Sequence, residues 1–359
     1  MGSDMKSRLF LGRCLSVALI AACSIGSASA AAYSGLYVFG DSLSDVGNVS
    51  LATGGAEPVS PPYSNGRFSN GNVWVQDVAA SLGLGPVTAS LAGGNDFAVG
   101  GAETGATPAN PYTSSNPFQQ ASDLTAQLAA YNQRGLAAQP NALYTLWIGS
   151  NDIDSLVVAL ATVPLTQQSA YIANDFAAIL GNITKVVTGL AQDGMKNLLA
   201  LNVPDLGKTP RATSNGVSAA ASALSAALDQ SLALTLGQLS ISEGFKLNLV
   251  DTYGAIDAIT NAPAAYGLTN VTSPCWTGTF TDPASGTVCA NPNQYLFWDT
   301  LHPTAVGHQL VADAVLTQVP EPGSMGLLGI AVVGLLWVKA GKGKGSFLQK
   351  RTKKLSLAG

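Results

Sequence analysis

Short apolar runs alternate with longer amphipathic stretches along most of the chain. The short runs predict buried strands, and apolar residues spaced three or four apart predict helices that pack on them. The predicted strands are 36–39, 143–148, 197–203 and 246–250, and the predicted helices lie near 73–82, 120–134, 168–193 and 213–241. Such alternation is typical of a mostly parallel sheet with helices on both faces, so we expect a three-layer α/β/α fold of about five strands.

Polar residues follow the first predicted strand, beginning with Gly40-Asp41-Ser42. The pattern predicts a sharp turn from the strand into a helix, which would expose the Ser42 hydroxyl where open α/β sheets bind their ligands. The amino terminus of that helix would offer free N–H groups to a developing oxyanion. Ser42 is therefore a candidate nucleophile. The alternative is a turn in which the Ser and Asp side chains only cap the helix.

A serine nucleophile needs a base, and the base needs a carboxylate that orients it. The chain has two histidines, His302 and His308. Asp299 precedes His302 by three residues, so one loop can present both side chains, with the carboxylate accepting from the imidazole. The alternative is a capping carboxylate beside a surface imidazole. His308 has no comparable acid upstream and falls in the predicted last helix, so we expect a structural role for it.

Two more polar segments follow apolar runs. In Gly-Ser-Asn-Asp at 149–152, the Asn151 amide could donate to an oxyanion, although this tetrapeptide is also common in turns. In the segment 96–102, the paired glycines Gly100 and Gly101 would let a backbone N–H approach a substrate closely. The chemistry of these segments complements that of Ser42 and His302.

The four segments together resemble the conserved blocks of the GDSL (SGNH) family of serine esterases and lipases, in the family order. The blocks are Gly-Asp-Ser-Leu at 40–43, Gly-Gly at 100–101, Gly-x-Asn-Asp at 149–152 and Asp-x-x-His-Pro at 299–303. The segment 202–207 is also similar to a family segment, and the resemblance spans roughly residues 33–317. It implies the flavodoxin-like SGNH-hydrolase fold.

The resemblance also implies the role of each site residue. Ser42 would be the nucleophile, His302 the general base and Asp299 the residue that orients it. The Ser42 N–H, the Gly101 N–H and the Asn151 side chain would form the oxyanion hole. The implied activity is hydrolysis of carboxylic esters through an acyl-enzyme, with no cofactor.

One departure from the family pattern concerns the second block. Asp96 stands where family members usually have Asn. This leaves Gly100 as an alternative to Gly101 for the backbone donor of the oxyanion hole.

The first thirty residues read as a secretory signal peptide. Basic residues precede the apolar run 15–25, and the small residues 28–30 form a cleavage site. A membrane anchor is the alternative, but the apolar run is well short of the roughly 20 residues that cross a bilayer. We expect a mature domain at 31–318 that begins after the signal at 1–30.

The C-terminal segment 319–359 forms a third region. Pro-Glu-Pro at 320–322 is followed by the apolar run 323–338 and then by a basic flank. This arrangement resembles the PEP-CTERM sorting signal of Gram-negative bacteria, which implies transient anchoring in the inner membrane and removal by an exosortase. The protein would then be periplasmic, surface-bound or secreted. A plain single-span anchor is the alternative, although sixteen apolar residues are few for a permanent span.

Charge and motif content exclude several function classes. The net charge of the whole chain is −4, but residues 31–338 hold seven basic and twenty acidic residues, a net charge of −13. A domain this acidic has no electrostatic footprint for nucleic acid. No Cys/His cluster has the spacing of metal ligands, and no glycine-rich phosphate-binding motif is present, so we expect neither a metal nor a nucleotide cofactor.

Cysteine usage agrees with export. Cys14 and Cys23 would leave with the signal peptide, so Cys275 and Cys289 remain as a pair. In an oxidising compartment we expect them to form a disulfide, which would close a loop just before Asp299. Two free structural thiols are the alternative.

The substrate stays open at this level. A small-molecule ester, a lipid ester and an acetylated glycan are all compatible with the implied chemistry. The sorting signal also favours a deacetylase of exopolysaccharide as an alternative function, and a non-catalytic protein of the cell surface or matrix is a further one. A non-catalytic protein, however, would have no need of intact Ser, Gly, Asn and His blocks together.

Overall fold

The computed structural model describes residues 33–111, 121–136 and 139–319. The predicted signal peptide at 1–30 lies outside these ranges. So does the predicted tail, apart from its first residue.

Four parallel strands form the centre of the described structure. They are β1 (Leu36–Gly40), β2 (Leu143–Trp147), β3 (Asn197–Leu201) and β4 (Lys246–Val250), and they lie in the sheet in that order. In the register Leu36 pairs with Leu143, and the carboxyl-terminal residue Gly40 pairs with Trp147. The strand predictions are thus confirmed. The parallel register aligns the carboxyl ends of β1 and β2 at one edge, so the residues that follow them come close together.

A single residue, Asp96, pairs with β1 and takes the place of a fifth strand in this sheet. Val38 donates to the Asn95 carbonyl at 3.0 Å and accepts from the Phe97 N–H at 2.8 Å, which makes a single parallel bridge at Asp96. The regular pairing stops there, because the Gly40 N–H donates to the Gln127 side chain, although the Gly40 carbonyl still accepts from the Val99 N–H at 3.2 Å. The expected sheet of about five strands is therefore four strands and one bridge.

Helices cover both faces of the sheet, as the alternating pattern predicts. Side chains such as Tyr37 and Phe39 point to one face, where they pack in one apolar core, while Leu36 and Val38 pack in a second core on the other. The first face carries α3 (Leu124–Gln133), α4 (Ser150–Leu160), α5 (Leu165–Gln192) and α7 (Ser218–Glu243), and the second carries α2 (Trp74–Ser81) and α9 (Ala305–Gln318). All residues of β1 and β2 are buried, as in a strand covered on both sides.

Shorter elements complete the domain. They are α1 (Asn48–Ala52), α6 (Pro210–Ser214), α8 (Thr252–Asn261), β5 (Asn270–Pro274) and β6 (Tyr295–Phe297), with β5 and β6 paired in a separate parallel sheet. The stretch predicted as one helix or hairpin at 213–241 is a short helix and a long one, α6 and α7, because Gly216 takes a left-handed φ of +69° between them. Within the described ranges, no helix combines the length and the apolar character needed to cross a membrane.

A buried glutamine of α3 anchors the end of β1. Gln127 accepts a hydrogen bond from the Gly40 N–H at 3.0 Å and donates to the Gly40 carbonyl at 2.7 Å. Its amide takes the place of a neighbouring strand at the point where the chain leaves the sheet towards Ser42. Both backbone groups are buried and need partners. The carbonyl also accepts from the Val99 N–H at 3.2 Å, so the N–H depends on Gln127 more than the carbonyl does.

We expect Gln127→Leu to lower the free energy of unfolding by about 1–3 kcal/mol, because it leaves the buried N–H of Gly40 without its partner and removes one of the two bonds to the Gly40 carbonyl. Denaturant unfolding followed by circular dichroism measures the change. Gln133→Leu, at an exposed position of the same helix, is the matched control and should change stability by less than about 0.5 kcal/mol. Equal losses in the two variants would contradict this account.

Candidate active site

Ser42 lies in a tight turn directly after β1. The Asp41 carbonyl accepts from the N–H groups of Ser44 and Asp45, both at 3.0 Å, and the Asp41 carboxylate accepts from Leu43. The expectation that the strand passes directly into a helix is wrong, because α1 begins only at Asn48. Beyond Asp45, carboxylates accept the next N–H groups, because Val46 donates to Asp96 and Gly47 donates to Asp45. The turn is therefore held without a regular helix.

Ser42, His302 and Asp299 form a continuous hydrogen-bonded chain. The distance from Ser42 Oγ to His302 Nε2 is 2.8 Å, and the distance from His302 Nδ1 to Asp299 Oδ2 is also 2.8 Å. All three residues are buried, with exposed fractions of 5% or less. The structure thus brings together residues that are 260 positions apart in the sequence.

One loop presents both Asp299 and His302, as their spacing predicts. This loop leaves β6, and the Trp298 N–H donates to the His302 carbonyl at 2.7 Å, which closes the loop on itself. Asp299 Oδ1 accepts from the N–H groups of Leu301 and His302, at 2.8 and 2.7 Å. The carboxylate therefore fixes the backbone of the loop as well as the imidazole.

Tyr63 adds a fourth donor to the Asp299 carboxylate. Its hydroxyl lies 2.8 Å from Asp299 Oδ2, and its side chain is buried. Burial pushes the pKa of Asp299 upwards, but the charge of His302 and the hydrogen bonds from His302 and Leu301 outweigh it, so the pKa lies below its ordinary value. Asp299 is thus held as a carboxylate inside an apolar environment.

Gly101 and Asn151 line a cleft that opens at Ser42. The Gly100 N–H donates to Asp45 Oδ2 at 2.9 Å and is therefore engaged. Gly101 follows with a φ of +78° and open space around its Cα. One amide hydrogen of Asn151 goes to the Ala102 carbonyl at 2.8 Å, which fixes the side chain and leaves the second hydrogen for another acceptor.

Asp96, which replaces the usual family Asn, lies away from the cleft and supports its wall. Its carboxylate accepts from the Val46 and Ala98 N–H groups at 2.8 and 3.0 Å. The Asn48 amide donates to the backbone carbonyls of Asp96 and Ala98, both at 2.8 Å. These bonds join the segment after Ser42 to the segment that carries Gly101.

Aromatic side chains surround His302. The ring centroids of Phe68 and Phe280 lie 5.1 and 5.7 Å from that of the imidazole, and Tyr63 packs edge-on against both phenylalanines. Phe280 belongs to the loop closed by a disulfide between Cys275 and Cys289, with Cα atoms 4.8 Å apart. The cysteines that the sequence pairs are thus bonded in the structure, and their loop contributes to the roof of the site.

His308 packs behind the site in α9. Its imidazole is fully buried, and Nδ1 has no hydrogen-bond partner among the described residues. Burial lowers its pKa to about 3, so it is neutral at ordinary pH. This placement agrees with the structural role expected for it.

Sequence reasoning missed three residues that support the site: Asp45, Asn48 and Tyr63. Asp45 accepts from the N–H groups of Gly47, Asn48 and Val49 in addition to that of Gly100. The polar run that contains Asp45 and Asn48 directly follows Ser42, so its position was an available signal. No local signal identifies the partner of Tyr63, because Asp299 is 236 residues away.

Two cavities open beside Ser42. The cleft has a volume of about 340 Å³, and its charged residues are Glu57 and Arg211. A smaller, mostly apolar cavity of about 40 Å³ lies on the other side of Ser42, between Trp147, Leu206 and Phe297. Among the described residues, no group of three or more His, Cys, Asp or Glu side chains could hold a metal ion.

Several carboxyl groups near this edge of the sheet are buried without a cation. Burial raises the pKa of Asp41 to about 7, although the Leu43 N–H and His302 oppose the shift. Burial also raises the pKa of Asp229, in α7, to about 7, although the Val203 N–H donates to it at 2.8 Å. Both groups therefore take up protons more readily in the folded protein than in the unfolded chain.

Comparison with known proteins identifies the family. The family model described as GDSL-like Lipase/Acylhydrolase matches residues 36–315, which is most of the chain. The chain belongs to this family. It is therefore a carboxylic ester hydrolase of the GDSL type. A second model, the PEP-CTERM protein-sorting motif, matches residues 318–340.

Individual relatives of this GDSL enzyme differ in length. A phosphatidylcholine-sterol acyltransferase from Aeromonas hydrophila is 28% identical, and the alignment covers 80% of this chain and 90% of that protein. Esterase EstA from Pseudomonas aeruginosa is 30% identical, with 86% of this chain covered but only 51% of the esterase. The chain thus spans nearly all of one relative and about half of the other.

The solved structures to which the chain is similar include that of an acetylxylan esterase from Geobacillus stearothermophilus. It is 16% identical, with a TM-score of 0.40, and the match covers 79% of this chain and 93% of that one.

We expect Tyr63→Phe to move the acidic limb of the pH profile of kcat/KM to higher pH, by roughly 0.5–1 unit. The variant keeps the ring but removes one donor from Asp299, and the more basic carboxylate then holds a proton on His302 more tightly. The profile is measured with p-nitrophenyl esters.

Tyr131→Phe is the matched control for this change, because the Tyr131 hydroxyl is also buried and contacts only the Tyr144 hydroxyl, at 3.2 Å, among the described contacts. It should leave the profile in place. A Tyr63→Phe profile that coincides with the wild type would show that Tyr63 only packs.

We expect the folded enzyme to lose stability as the pH rises from 5 to 8. Folding raises the pKa of Asp229 from 3.8 to about 7. The protonated group therefore stabilises the folded protein fully below pH 3.8. This stabilisation is lost as the pH rises to about 7. Each such group contributes a slope of at most about 1.4 kcal/mol per pH unit. Asp229→Asn should flatten the curve obtained by chemical unfolding at several pH values. Asp313→Asn, at an exposed position of α9, should not, and parallel curves for wild type and Asp229→Asn would refute the assignment.

Proposed function

We propose that the protein is an exported serine hydrolase that cleaves carboxylic esters through an acyl-enzyme on Ser42. The observation that carries this proposal is the unbroken series of short contacts from Ser42 Oγ through His302 to Asp299, with both distances at 2.8 Å. A serine hydroxyl becomes an effective nucleophile when an adjacent, oriented base takes its proton.

The first half of the reaction forms the acyl-enzyme. His302 Nε2 accepts the proton of Ser42 while Oγ attacks the ester carbonyl carbon. The resulting imidazolium keeps its Nδ1 proton and donates a hydrogen bond from it to Asp299, and this carboxylate stays ionised because its pKa is held low. The tetrahedral intermediate then collapses as His302 returns the proton to the leaving alcohol oxygen.

The oxyanion that forms during the attack needs donors placed in advance. The N–H groups of Ser42 and Gly101 and the free amide hydrogen of Asn151 would supply them. Support for Gly101 rather than Gly100 comes from the bond that commits the Gly100 N–H to Asp45. Support for Asn151 comes from its bond to the Ala102 carbonyl, which holds the amide at the cleft.

The second half of the reaction releases the acid. A water molecule gives a proton to His302 Nε2 and attacks the acyl carbon through its oxygen. The same donors hold the second oxyanion. Collapse breaks the bond to Ser42 Oγ, which regains its proton from His302, and the carboxylic acid leaves the cleft.

Export of the protein is part of the proposal. The signal peptide at 1–30 would be removed, residues 31–318 would be the catalytic domain, and the sorting region at 319–359 would be processed by an exosortase. The matched sorting motif at 318–340 and the disulfide between Cys275 and Cys289, which suits an oxidising compartment, support it.

We expect Ser42→Ala to lower kcat on p-nitrophenyl esters by at least about 10⁴-fold, since the nucleophile is lost. Asn151→Ala should lower kcat by about 10²–10³-fold through the loss of one oxyanion donor. The full chain is produced with export in a Gram-negative host, and thermal unfolding checks that each variant folds. Ser242→Ala, at an exposed position of α7, is the control. Activity retained by folded Ser42→Ala would refute the proposed mechanism.

A further inference from the structure

Two of the proposed oxyanion donors come from separate parts of the chain. Asn151 belongs to the first turn of α4, whereas Gly101 belongs to the connection that follows the bridge at Asp96. Gly101 has no side chain to pack, and the space around its Cα is open. The position of its N–H relative to the Asn151 amide is therefore set by the residues around it.

The segment that directly follows Gly101 is bonded to the first turns of α4. The Ala102 carbonyl accepts from the Asn151 amide at 2.8 Å. The Glu103 side chain accepts from the Ser155 hydroxyl at 2.5 Å. Two consecutive residues of the segment are thus attached to one helix.

Thr104, the next residue, makes the most extensive of these contacts, and its partner is Asp152. The Thr104 hydroxyl donates to Asp152 Oδ1 at 2.6 Å. The Thr104 N–H lies 3.2 Å from Oδ1 and 3.1 Å from Oδ2, so both oxygens of the carboxyl group share this donor. Both side chains are fully buried. Hydrogen bonds in such an environment are stronger than the same bonds in water.

Asp152 is the immediate neighbour of Asn151 in α4, and this adjacency links its contact to the oxyanion hole. Consecutive residues of a helix keep a fixed spacing. The bonds from Asp152 to Thr104 and from Asn151 to Ala102 are therefore two attachments between one rigid helix and one short segment. Two attachments fix the orientation of that segment as well as its distance, and the Gly101 N–H lies directly before the first of them.

The placement of the donors matters for the rate. Donors to an oxyanion stabilise it most when they are in position before the charge develops. A displacement of about 1 Å can lower a rate by roughly 10²-fold. Asp152 and Thr104 line neither of the two cavities beside Ser42, so they can affect the reaction only through the residues that do.

We propose that Asp152 is a positioning residue, which holds the Gly101 N–H and the Asn151 amide at the spacing of one oxyanion through its bonds to Thr104. The inference rests on the proposed ester hydrolysis and adds to it a residue that acts without touching the substrate.

The test measures kcat and KM separately for the full chain, on the p-nitrophenyl ester that the wild type hydrolyses best. Asp152→Ala removes every bond to Thr104. Thr104→Val removes only the hydroxyl bond and keeps the shape of the side chain, and Thr104→Ser retains the hydroxyl. Thr145→Val, at an equally buried position of β2, is the matched control.

A second measurement reports on the oxyanion hole itself. Phenylboronic acid forms a tetrahedral adduct with a serine nucleophile, and one oxygen of the adduct occupies the position of the oxyanion. Its inhibition constant therefore follows the quality of the hole, as expected for an analogue of the transition state.

We expect Thr104→Val to lower kcat by about threefold to tenfold and Asp152→Ala by about tenfold to 10²-fold, with KM changed by less than about twofold. The inhibition constant of phenylboronic acid should rise by similar factors. Thr104→Ser should recover most of the activity, and Thr145→Val should match the wild type. In an Asn151→Ala background, Asp152→Ala should cost at most about threefold more, because the hole is already incomplete.

A merely structural role would give a different result. Losses that multiply fully with that of Asn151→Ala, or that appear in KM rather than in kcat, would overturn the proposal, as would a Thr104→Val enzyme with wild-type kcat. Thermal unfolding shows which variants fold, and Thr104→Val decides alone if Asp152→Ala does not. A wild-type enzyme that hydrolyses no ester would refute the proposed function itself, which separates the two failures.

Discussion

The hydrogen bonding of one buried carboxylate, that of Asp299, governs the arrangement of the site. An ion placed in an apolar environment costs several kcal/mol unless its oxygens are satisfied. Asp299 meets this demand with donors from Leu301, His302 and Tyr63. Two of them are backbone groups of its own loop, so the bonds that stabilise the charge also set the shape of the loop. The position of the imidazole follows from that shape.

An aromatic cluster around His302 supplies the apolar environment in which the Asp299 carboxylate is buried. The cluster combines two distant segments, one with Tyr63 and Phe68 and the other with Phe280. A hydrogen bond joins them, because the Val59 N–H donates to the Phe280 carbonyl at 2.7 Å. Together they keep water from the Asp299–His302 pair. The low dielectric that makes the charge costly also strengthens its interaction with the imidazole. The disulfide-bonded loop therefore supports the electrostatics of the site as well as its shape.

Much of the fold and of the site is readable from the sequence because the information is local. Each strand is an apolar run followed by polar residues, and parallel pairing brings the ends of β1 and β2 to one edge. That rule places Ser42 and Asn151 at the same edge, and the resemblance to the family blocks suggested their roles. Asp299 and His302 are three residues apart, so one loop was enough to predict their contact. The argument for Gly101 over Gly100 as the proposed donor needs coordinates, because it depends on which N–H already has a partner.

The rest depends on contacts between distant segments. Nothing in the sequence around Tyr63 specifies that its hydroxyl faces Asp299, because loop conformation is set by packing. The single bridge at Asp96 replaces a strand because the Gln127 side chain takes the Gly40 N–H. A groove between α4 and α6 forms only when these two helices are placed side by side. The spacing of apolar residues predicts helices and strands well, but it gives little information on the cavities between them.

The separation of Ser42 and His302 by 260 residues has a consequence for synthesis of the chain. Ser42 is translated early and His302 near the end of the domain, and α9 must still dock on the sheet. No nascent or truncated chain that ends before His302 contains a complete base–nucleophile pair. Under the proposed mechanism, a chain that ends before His302 is therefore inactive, and hydrolytic activity reports that synthesis has passed His302 and that the two ends of the domain have met.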